Sequence, residues 1–190
     1  MDKISQSVIG VMWVAWLVYW ALASRSAKAT QRSESVRSRL TYHLPLILGA
    51  VFIGVPGILG PQLEGTFVTR APAWQALEIA LVALGLGFAV AARLWLGRNW
   101  SSMVTVKKDH ELIRSGPYAL VRHPIYTGLL LALIGTVLMV GKWRALIGIA
   151  LMLVSFLRKL RIEERFMAQE FGETYARYRK QVAMLVPFLV

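Results

Sequence analysis

The chain has 190 residues, of which 56% are hydrophobic, and it carries 22 lysines and arginines against 10 acidic residues. This composition argues against an ordinary soluble domain, and the net charge of +12 suits either nucleic acid or the anionic face of a membrane. The absence of cysteine excludes disulfides, thiolate-bound zinc, iron–sulfur clusters and a cysteine nucleophile. The three histidines, His43, His110 and His123, have no metal-ligand spacing, so no metal site is predicted.

Uncharged or nearly uncharged runs divide the chain into five candidate membrane spans, of which the first is long enough as a helix to cross ~30 Å of hydrocarbon. The first, Ile4 to Ser24, lacks the basic start and the cleavage site of a signal peptide, so we expect it to be retained. The fifth is short, and Arg158 and Lys159 can extend its reach by snorkelling. The last four runs are residues 40–63, which Pro56-Gly57 interrupts, 71–92, 124–141 and 145–157.

Basic residues lie mostly on one side of the predicted membrane. Segments 25–39, 93–122 and 158–190 hold 18 of the 22, and the segments on the other side hold only Lys3, Arg70, Lys142 and Arg144. Cytoplasmic loops carry this excess of Lys and Arg, so the C-terminus is predicted to be cytoplasmic and the N-terminus outside. A nucleic-acid partner is then not needed to explain the charge.

The fold predicted is an all-α, polytopic membrane helical bundle of about five transmembrane helices. We expect one domain over residues 1–190, with three N-terminal spans in 1–92 and a loop, a helical hairpin and a cytoplasmic C-terminal region in 93–190. Spans four and five are joined by the short turn 141–144, so they are predicted to pack as an antiparallel hairpin. The fifth helix is predicted to continue into the cytoplasm as far as Gly172.

Two helix starts are predicted in the long segment between spans three and four. Ser-Gly-Pro-Tyr at 115–118 and Arg-His-Pro at 122–124 both place proline in a first helical turn. Helix N-termini carry unpaired N–H groups and partial positive charge, so a ligand carboxylate could be held there.

Groups suited to a cation are predicted at the same membrane surface. Glu163 and Glu164 lie on the extension of span five, and Tyr118 and Tyr126 offer aromatic faces that attract alkylated cations. Together with the helix starts they favour a zwitterionic ligand that carries a carboxylate and an ammonium or sulfonium group. Each residue also has a structural alternative: the glutamates as surface charges, the tyrosines as interface anchors, and His123 as a helix cap.

Two segments resemble the isoprenylcysteine carboxyl methyltransferase family. They are LGRNWSSMVTVKKDHELIRSGPYALVRHPIYTG from Leu96 and RIEERFMAQEFGETYARYRKQV from Arg161, and the resemblance covers about half of the chain. The ordered combination R-H-P-x-Y, E-E and F-G-E-x-Y is fairly specific. The resemblance implies an integral-membrane methyltransferase that uses S-adenosyl-L-methionine for the carboxyl O-methylation of an isoprenylcysteine-like or other lipophilic acceptor. It also favours a bacterial inner membrane, with the active site in the cytoplasm.

The resemblance further implies a set of site residues. Cofactor contacts fall on His110, Glu111, Leu112, Ile113, Tyr118, His123, Pro124, Ile125, Tyr126, Glu163 and Glu164. Four residues before the first glutamate the family commonly has an arginine near the acceptor, and this chain has Lys159, which lacks the bidentate fork of arginine. The residues predicted to be catalytic are Lys159, Arg161 and Glu163.

Three alternatives remain open on the sequence. The same cofactor could serve methylation of a phospholipid amine or a small thiol. A nicotinamide-dependent membrane reductase is a second possibility, since some sterol reductases share a similar C-terminal region. A non-catalytic membrane scaffold is the third. The partners expected for the leading reading are a lipophilic or lipidated acceptor and membrane lipid, without nucleic acid.

The charge distribution makes a testable prediction about topology. Reporter fusions after Arg32 and after Val190 should both report a cytoplasmic location, because both positions lie on the basic side. A fusion after Arg70, on the opposite side, is the matched control. Opposite locations for the first two fusions would rule out the five-span arrangement.

Overall fold

The computed structural model describes residues 3–26, 30–33, 35–68, 71–97, 105–107 and 112–189. Within these residues the chain forms six α-helices and two short β-strands. The helices are α1 (Lys3–Ala23), α2 (Val36–Gly54), α3 (Pro72–Leu96), α4 (Pro117–Leu120), α5 (Pro124–Val140) and α6 (Trp143–Gln181). The strands are β1 (Thr30–Ser33) and β2 (Thr105–Lys107), and 3-10 helices lie at Ser24–Ser26 and Pro61–Glu64.

Each of the five predicted spans corresponds to one long helix. Among the described residues, α1 and α3 are long and apolar enough to cross a membrane, and α5 is a shorter apolar helix of 17 residues. Large apolar side chains are exposed on the outside of the first two helices, such as Val11 at 68% and Leu40 at 61%. An exterior of this kind suits lipid rather than water. The architecture is an all-α membrane bundle, as the sequence predicts.

Helix α2 lies earlier in the chain than the predicted second span. It begins at Val36 because the Ser35 side chain accepts a hydrogen bond from the Ser38 N–H at 3.2 Å and caps the helix. It ends at Gly54, just before Pro56-Gly57, instead of continuing to residue 63. The proline–glycine pair therefore ends this helix rather than merely interrupting it.

Helix α6 continues well beyond the apolar fifth span, as the sequence predicts. It extends over 39 residues, from Trp143 to Gln181. At Gly172 the backbone is non-helical, with a φ of 49° and a ψ of −125°, so the first part of α6 ends there, as the sequence predicts, and a second helical part follows after a bend. The bend redirects the last turns of α6.

The helices pack in two pairs. Helix α3 packs along α5, and α2 packs along α6. A Cβ on Gly85 would lie 2.5 Å from the backbone nitrogen of Ala132 and 2.5 Å from the carbonyl oxygen of Gly128. A Cβ on Gly49 would lie 2.6 Å from the carbonyl oxygen of Gly148. Glycine is required at these points because it lets the two backbones approach closely.

The predicted hairpin of spans four and five differs from the observed packing. Helices α5 and α6 are joined by a short turn, but each has its more extensive contacts with another helix. A short turn keeps the ends of two consecutive helices close together. It does not determine which helices pack along their length, because that depends on where small residues let two backbones approach. The main apolar core connects the two pairs and includes Ile9, Ile53, Val82, Leu133 and Phe156.

Two of the basic loops predicted to lie on one side of the membrane contact each other in the structure. Strands β1 and β2, from two different basic loops, pair as an antiparallel ribbon that the sequence did not reveal. The ribbon also contacts α6. The two loops therefore lie at the same end of the bundle, as the positive-inside pattern requires.

At the opposite end an arginine joins the end of α2 to the start of α6. Arg144 is buried, its Nη1 donates to the carbonyl oxygens of Phe52 at 2.5 Å and Ile53 at 2.6 Å, and its Nε lies 2.8 Å from Glu64 Oε1. Lys142 Nζ donates to the Glu64 carbonyl oxygen at 2.7 Å. These contacts stabilise the carbonyl groups at the C-terminal end of α2.

The close approach of α3 and α5 predicts unequal effects of two similar substitutions. Gly85→Ala should destabilise the protein by about 1–3 kcal/mol, because the new methyl group would overlap the backbone of α5. Gly87→Ala is the control on the same helix, since a Cβ there meets nothing within 4 Å, and it should be neutral or stabilising. Unfolding in detergent micelles measures both, and equal stability of the two variants would contradict the packing.

Candidate functional site

Helices α4 and α5 begin in close succession, at Pro117 and Pro124, as the sequence predicts. Gly116 is the N-cap of α4 and has a φ of 59°, a conformation that favours glycine, and Pro117 is the first residue of the helix. His123 is the N-cap of α5, and Pro124 is its fully buried first residue. The buried proline and the start of α5 therefore fix the backbone of the Arg-His-Pro segment.

Amide groups at these helix starts are already engaged in hydrogen bonds. The Tyr118 N–H donates to the Ser115 carbonyl oxygen at 3.2 Å. The N–H groups of Tyr126 and Thr127 both donate to the His123 carbonyl oxygen at 3.1 Å. The sequence favours these starts as the place for a ligand carboxylate, but the bonds leave less capacity there than that prediction requires. Cationic side chains are the better candidates for a ligand's negative group.

Glu164 lies among several cationic side chains. Its Oε1 accepts a hydrogen bond from Arg122 Nε at 2.7 Å, and Arg122 Nη2 lies 2.7 Å from the same oxygen. His123 Nε2 is 3.3 Å from Oε1, and Arg179 Nε is 3.9 Å from Oε2. The Arg122 and Glu164 side chains are only 8% and 9% exposed. Loss of either partner would leave the other as a buried charge without its shortest ionic contact.

The charge of Glu164 is maintained by these neighbours. Burial raises the pKa of the carboxyl group, but the hydrogen bond and positive charge of His123, and then those of Arg122, outweigh it and lower the pKa to about 2. Burial, and then the charge of Glu164, raises the pKa of the adjacent Tyr175 hydroxyl. Glu164 is thus an anion whose role here is to hold the surrounding side chains.

Glu163 has a more open environment. Its side chain is 25% exposed, and its Oε1 accepts a hydrogen bond from the Tyr126 hydroxyl at 3.0 Å. Lys159 Nζ is 4.0 Å from Oε1 and His123 Nδ1 is 3.7 Å from Oε2, which are ion-pair rather than hydrogen-bond distances. A further donor can therefore reach Glu163 more easily than it can reach Glu164.

Lys159 lies between two aromatic rings beside Glu163. Its Nζ is 5.6 Å from the centroid of the Tyr42 ring and 5.7 Å from that of Tyr126. Both distances are in the range of cation–π attraction. The Tyr126 ring also contacts Phe156 edge-on, with 5.3 Å between centroids, so the Tyr126 ring packs against the apolar core.

The chain after α6 runs beside the Arg-His-Pro segment. The N–H of Arg122 donates to the Ala183 carbonyl oxygen at 2.8 Å, and the N–H of His123 donates to that of Met184 at 3.1 Å. The Arg122 guanidinium also donates to the carbonyl oxygen of Val182. This C-terminal segment therefore fixes the backbone and the side chain of the motif together.

Five of the predicted site residues meet at one point. They are His123, Tyr126, Lys159, Glu163 and Glu164. The structure does not bring Arg161 to this point: its side chain is exposed, and it lies ~200° round the helix from both Lys159 and Glu163.

The other predicted cofactor contacts lie elsewhere. Ile113, Tyr118 and Ile125 pack in a small apolar cluster against α3, with Leu112 half-buried beside them. Buried Pro124 begins α5, so these positions support the segment that carries His123. The remaining two predicted contacts, His110 and Glu111, lie outside the described residues.

Sequence reasoning missed three residues of the cluster. Arg122 stands in the quoted motif, two residues before an apolar span, and that position was a usable signal. Arg179 had no comparable signal, because the bend at Gly172 brings it back to Glu164. Tyr42 had none either, since its place beside Lys159 depends on the packing of α2 along α6.

The lowered pKa of Glu164 predicts a particular acid sensitivity. Its ionised form contributes stability above the ordinary carboxyl pKa of 4.5, and this contribution is lost as pH falls towards about 2. At neutral pH, Glu164→Gln should cost about 3–5 kcal/mol, because Arg122 loses its buried partner. The difference in unfolding free energy between parent and variant should shrink between pH 4.5 and 2. A difference that stays constant over this window would contradict the assignment.

Comparison with known proteins gives matches in the same part of the chain. The family model described as the isoprenylcysteine carboxyl methyltransferase (ICMT) family matches residues 77–169. Protein-S-isoprenylcysteine O-methyltransferase of Schizosaccharomyces pombe is 31% identical over 119 residues, which cover 61% of this chain and 50% of that protein. The cobalt-zinc-cadmium resistance protein CzcN of Cupriavidus metallidurans is 30% identical over 119 residues, which cover 61% and 54%.

A solved structure is also similar. It is that of the eukaryotic intramembrane Ras methyltransferase ICMT, with a TM-score of 0.54 and 27% identity, and the match covers 78% of this chain and 53% of that one. The chain thus spans about half the length of the relatives it matches. Residues 77–169 include the Arg-His-Pro segment, Lys159 and both glutamates, so the matched region contains most of the cluster. Over this region the chain is similar to the isoprenylcysteine carboxyl methyltransferase family.

Proposed function

We propose that the chain is a membrane methyltransferase that uses S-adenosyl-L-methionine to methylate the carboxylate of a lipophilic acceptor of the isoprenylcysteine type. The main support is the placement of Glu163. This partly exposed carboxylate is next to His123, Tyr126 and Lys159, at the end of an otherwise apolar bundle. Similarity to named methyltransferases in the same region supports the same activity.

The side chains present fit the cofactor in chemical terms. S-adenosyl-L-methionine carries an ammonium, a sulfonium and a carboxylate. Glu163 can accept hydrogen bonds from the ammonium group, the aromatic face of Tyr126 suits the sulfonium, and the imidazole of His123 suits the carboxylate. When bound, the cofactor supplies a methyl group already activated by its positive sulfur.

The chain's own task is then to position the acceptor and to exclude water. A carboxylate acceptor is ionised at neutral pH, so no general base is required. Holding two reactants in line can contribute on the order of 7–11 kcal/mol. The proposal therefore does not require the His123–Glu164 pair to act as a general base.

A lipophilic acceptor fits the surroundings of the cluster. Lys159 lies where α6 leaves its apolar part, and Phe156 and Tyr126 continue the apolar core up to it. We propose that the acceptor enters sideways from the lipid and presents its carboxylate to Lys159. The membrane is proposed to be a bacterial inner membrane, with this end of the bundle in the cytoplasm because it holds the basic loops.

Acceptor identity is a separate question from the cofactor. A relative named for metal resistance is about as similar as those named for isoprenylcysteine. A phospholipid amine would arrive protonated and need a base, whereas a carboxylate acceptor needs none.

Ligand binding to the purified protein separates the classes of function. Binding of S-adenosylhomocysteine supports a methyltransferase, binding of a nicotinamide cofactor would indicate a reductase, and binding of neither would indicate a scaffold. Incubation with a labelled methyl donor and membrane extract then identifies the acceptor from the labelled product.

Glu163 should be essential for cofactor affinity. Glu163→Gln keeps the shape and removes the charge, so the affinity for S-adenosylhomocysteine should fall about tenfold or more, as expected for the loss of a charge-assisted hydrogen bond. Calorimetry on detergent-solubilised protein measures this change. Glu170→Gln is the matched control, because Glu170 is exposed on the same helix.

Two results would count against this assignment. If Glu163→Gln binds like the parent, the cofactor's cationic end is not held by Glu163. If the Glu170 variant loses affinity equally, the effect comes from general electrostatics at this surface and not from the cluster.

A further inference from the structure

Tyr42 contributes to the cluster from a part of the chain that the family model does not match. It lies on α2, whereas the matched region covers residues 77–169. Its side chain is 2% exposed, and its ring centroid is 5.6 Å from Lys159 Nζ. With Tyr126 at 5.7 Å, Lys159 has an aromatic ring from each of two helices.

Packing holds the Tyr42 ring in place. Ser155 Oγ donates to the Tyr42 carbonyl oxygen at 2.6 Å, which joins α2 to α6 one helical turn before Lys159. Ile162 and Phe166 pack against Tyr42 on the other side. The ring is therefore a fixed surface rather than a mobile cover.

A fixed aromatic surface acts on a lysine differently from a carboxylate. Lysine has a flexible four-carbon stem, so its ammonium group can occupy many positions. A ring attracts the ammonium through its quadrupole but does not cancel its charge. Two rings therefore restrict the position of the Lys159 ammonium group without neutralising its charge, and the carboxylate of Glu163 lies 4.0 Å from it.

We propose that Tyr42 is a positioning residue that holds the Lys159 ammonium group where it meets the acceptor's carboxylate. The inference rests on the proposed function, since it assumes a carboxylate acceptor. It adds a specificity determinant from α2: recognition of an anionic rather than a neutral head group depends on the ring at position 42. The role belongs to the ring and not to its hydroxyl group.

Two matched prenyl ligands test this role without requiring turnover. S-farnesylthioacetic acid carries a carboxylate, and its amide has the same size without the charge. Parent protein should bind the acid more tightly than the amide. Tyr42→Leu should reduce this preference about fivefold or more, and Tyr42→Phe should retain it, because phenylalanine keeps the ring. Affinity for S-adenosylhomocysteine should not change in either variant.

A second series covers the case in which Tyr42→Leu does not fold. Phenylalanine at position 42 with increasing fluorination keeps its shape but loses the negative charge on its face. The preference for the acid should then fall step by step. An unchanged preference across the series, or an equal loss in Tyr42→Phe, would overturn the inference.

Failure of the proposed function gives a different result. In that case the parent protein would show no preference for the acid and no binding of S-adenosylhomocysteine. If the parent shows both and the Tyr42 variants keep the preference, only the role of Tyr42 is wrong.

Discussion

The contact between the start of α5 and the middle of α6 is the interaction on which the candidate site depends. Arg122 and His123 come from one helix start, and Glu163 and Glu164 from the other helix. Because α5 packs mainly on α3 while α6 packs mainly on α2, this ionic contact links the two helix pairs at the basic end of the bundle. Without it, Tyr42 and Lys159 would be held near His123 only by the apolar core that connects the two pairs.

The adjacent glutamates have different tasks because they face different surroundings. Glu164 is buried among Arg122, His123 and Arg179, where its charge is needed to keep the cluster together. Glu163 is more exposed and has one short hydrogen bond, from Tyr126. A residue that is fully committed to structure supports one that can bind a ligand. Two consecutive residues of α6 thus have different roles: Glu164 stabilises the cluster, and Glu163 is accessible to a ligand.

Local patterns in the sequence were sufficient to predict much of this molecule. Uncharged runs located the five long helices, and Pro117 and Pro124 marked two helix starts correctly. Ser35 and the Pro56-Gly57 pair moved α2 away from its predicted bounds, because capping and chain breaking act on single residues that hydropathy does not weigh. Contacts between segments that are distant in the chain were harder to predict from the sequence. The pairing of α2 with α6 depends on close backbone approach at Gly49, which no periodic pattern reports, and Tyr42 remained undetected for the same reason.

The bend at Gly172 has a consequence for the order in which the molecule is completed. Residues beyond the bend return to the motif, where Arg179 approaches Glu164 and Ala183 and Met184 accept hydrogen bonds from Arg122 and His123. A ribosome makes these residues after the spans formed by α5 and α6, so they reach the motif only after both spans are available for insertion into the membrane. Until then Arg122 has fewer partners than in the finished protein. Final assembly of the cluster is therefore a late event in biosynthesis, separate in time from insertion of the helices that carry it.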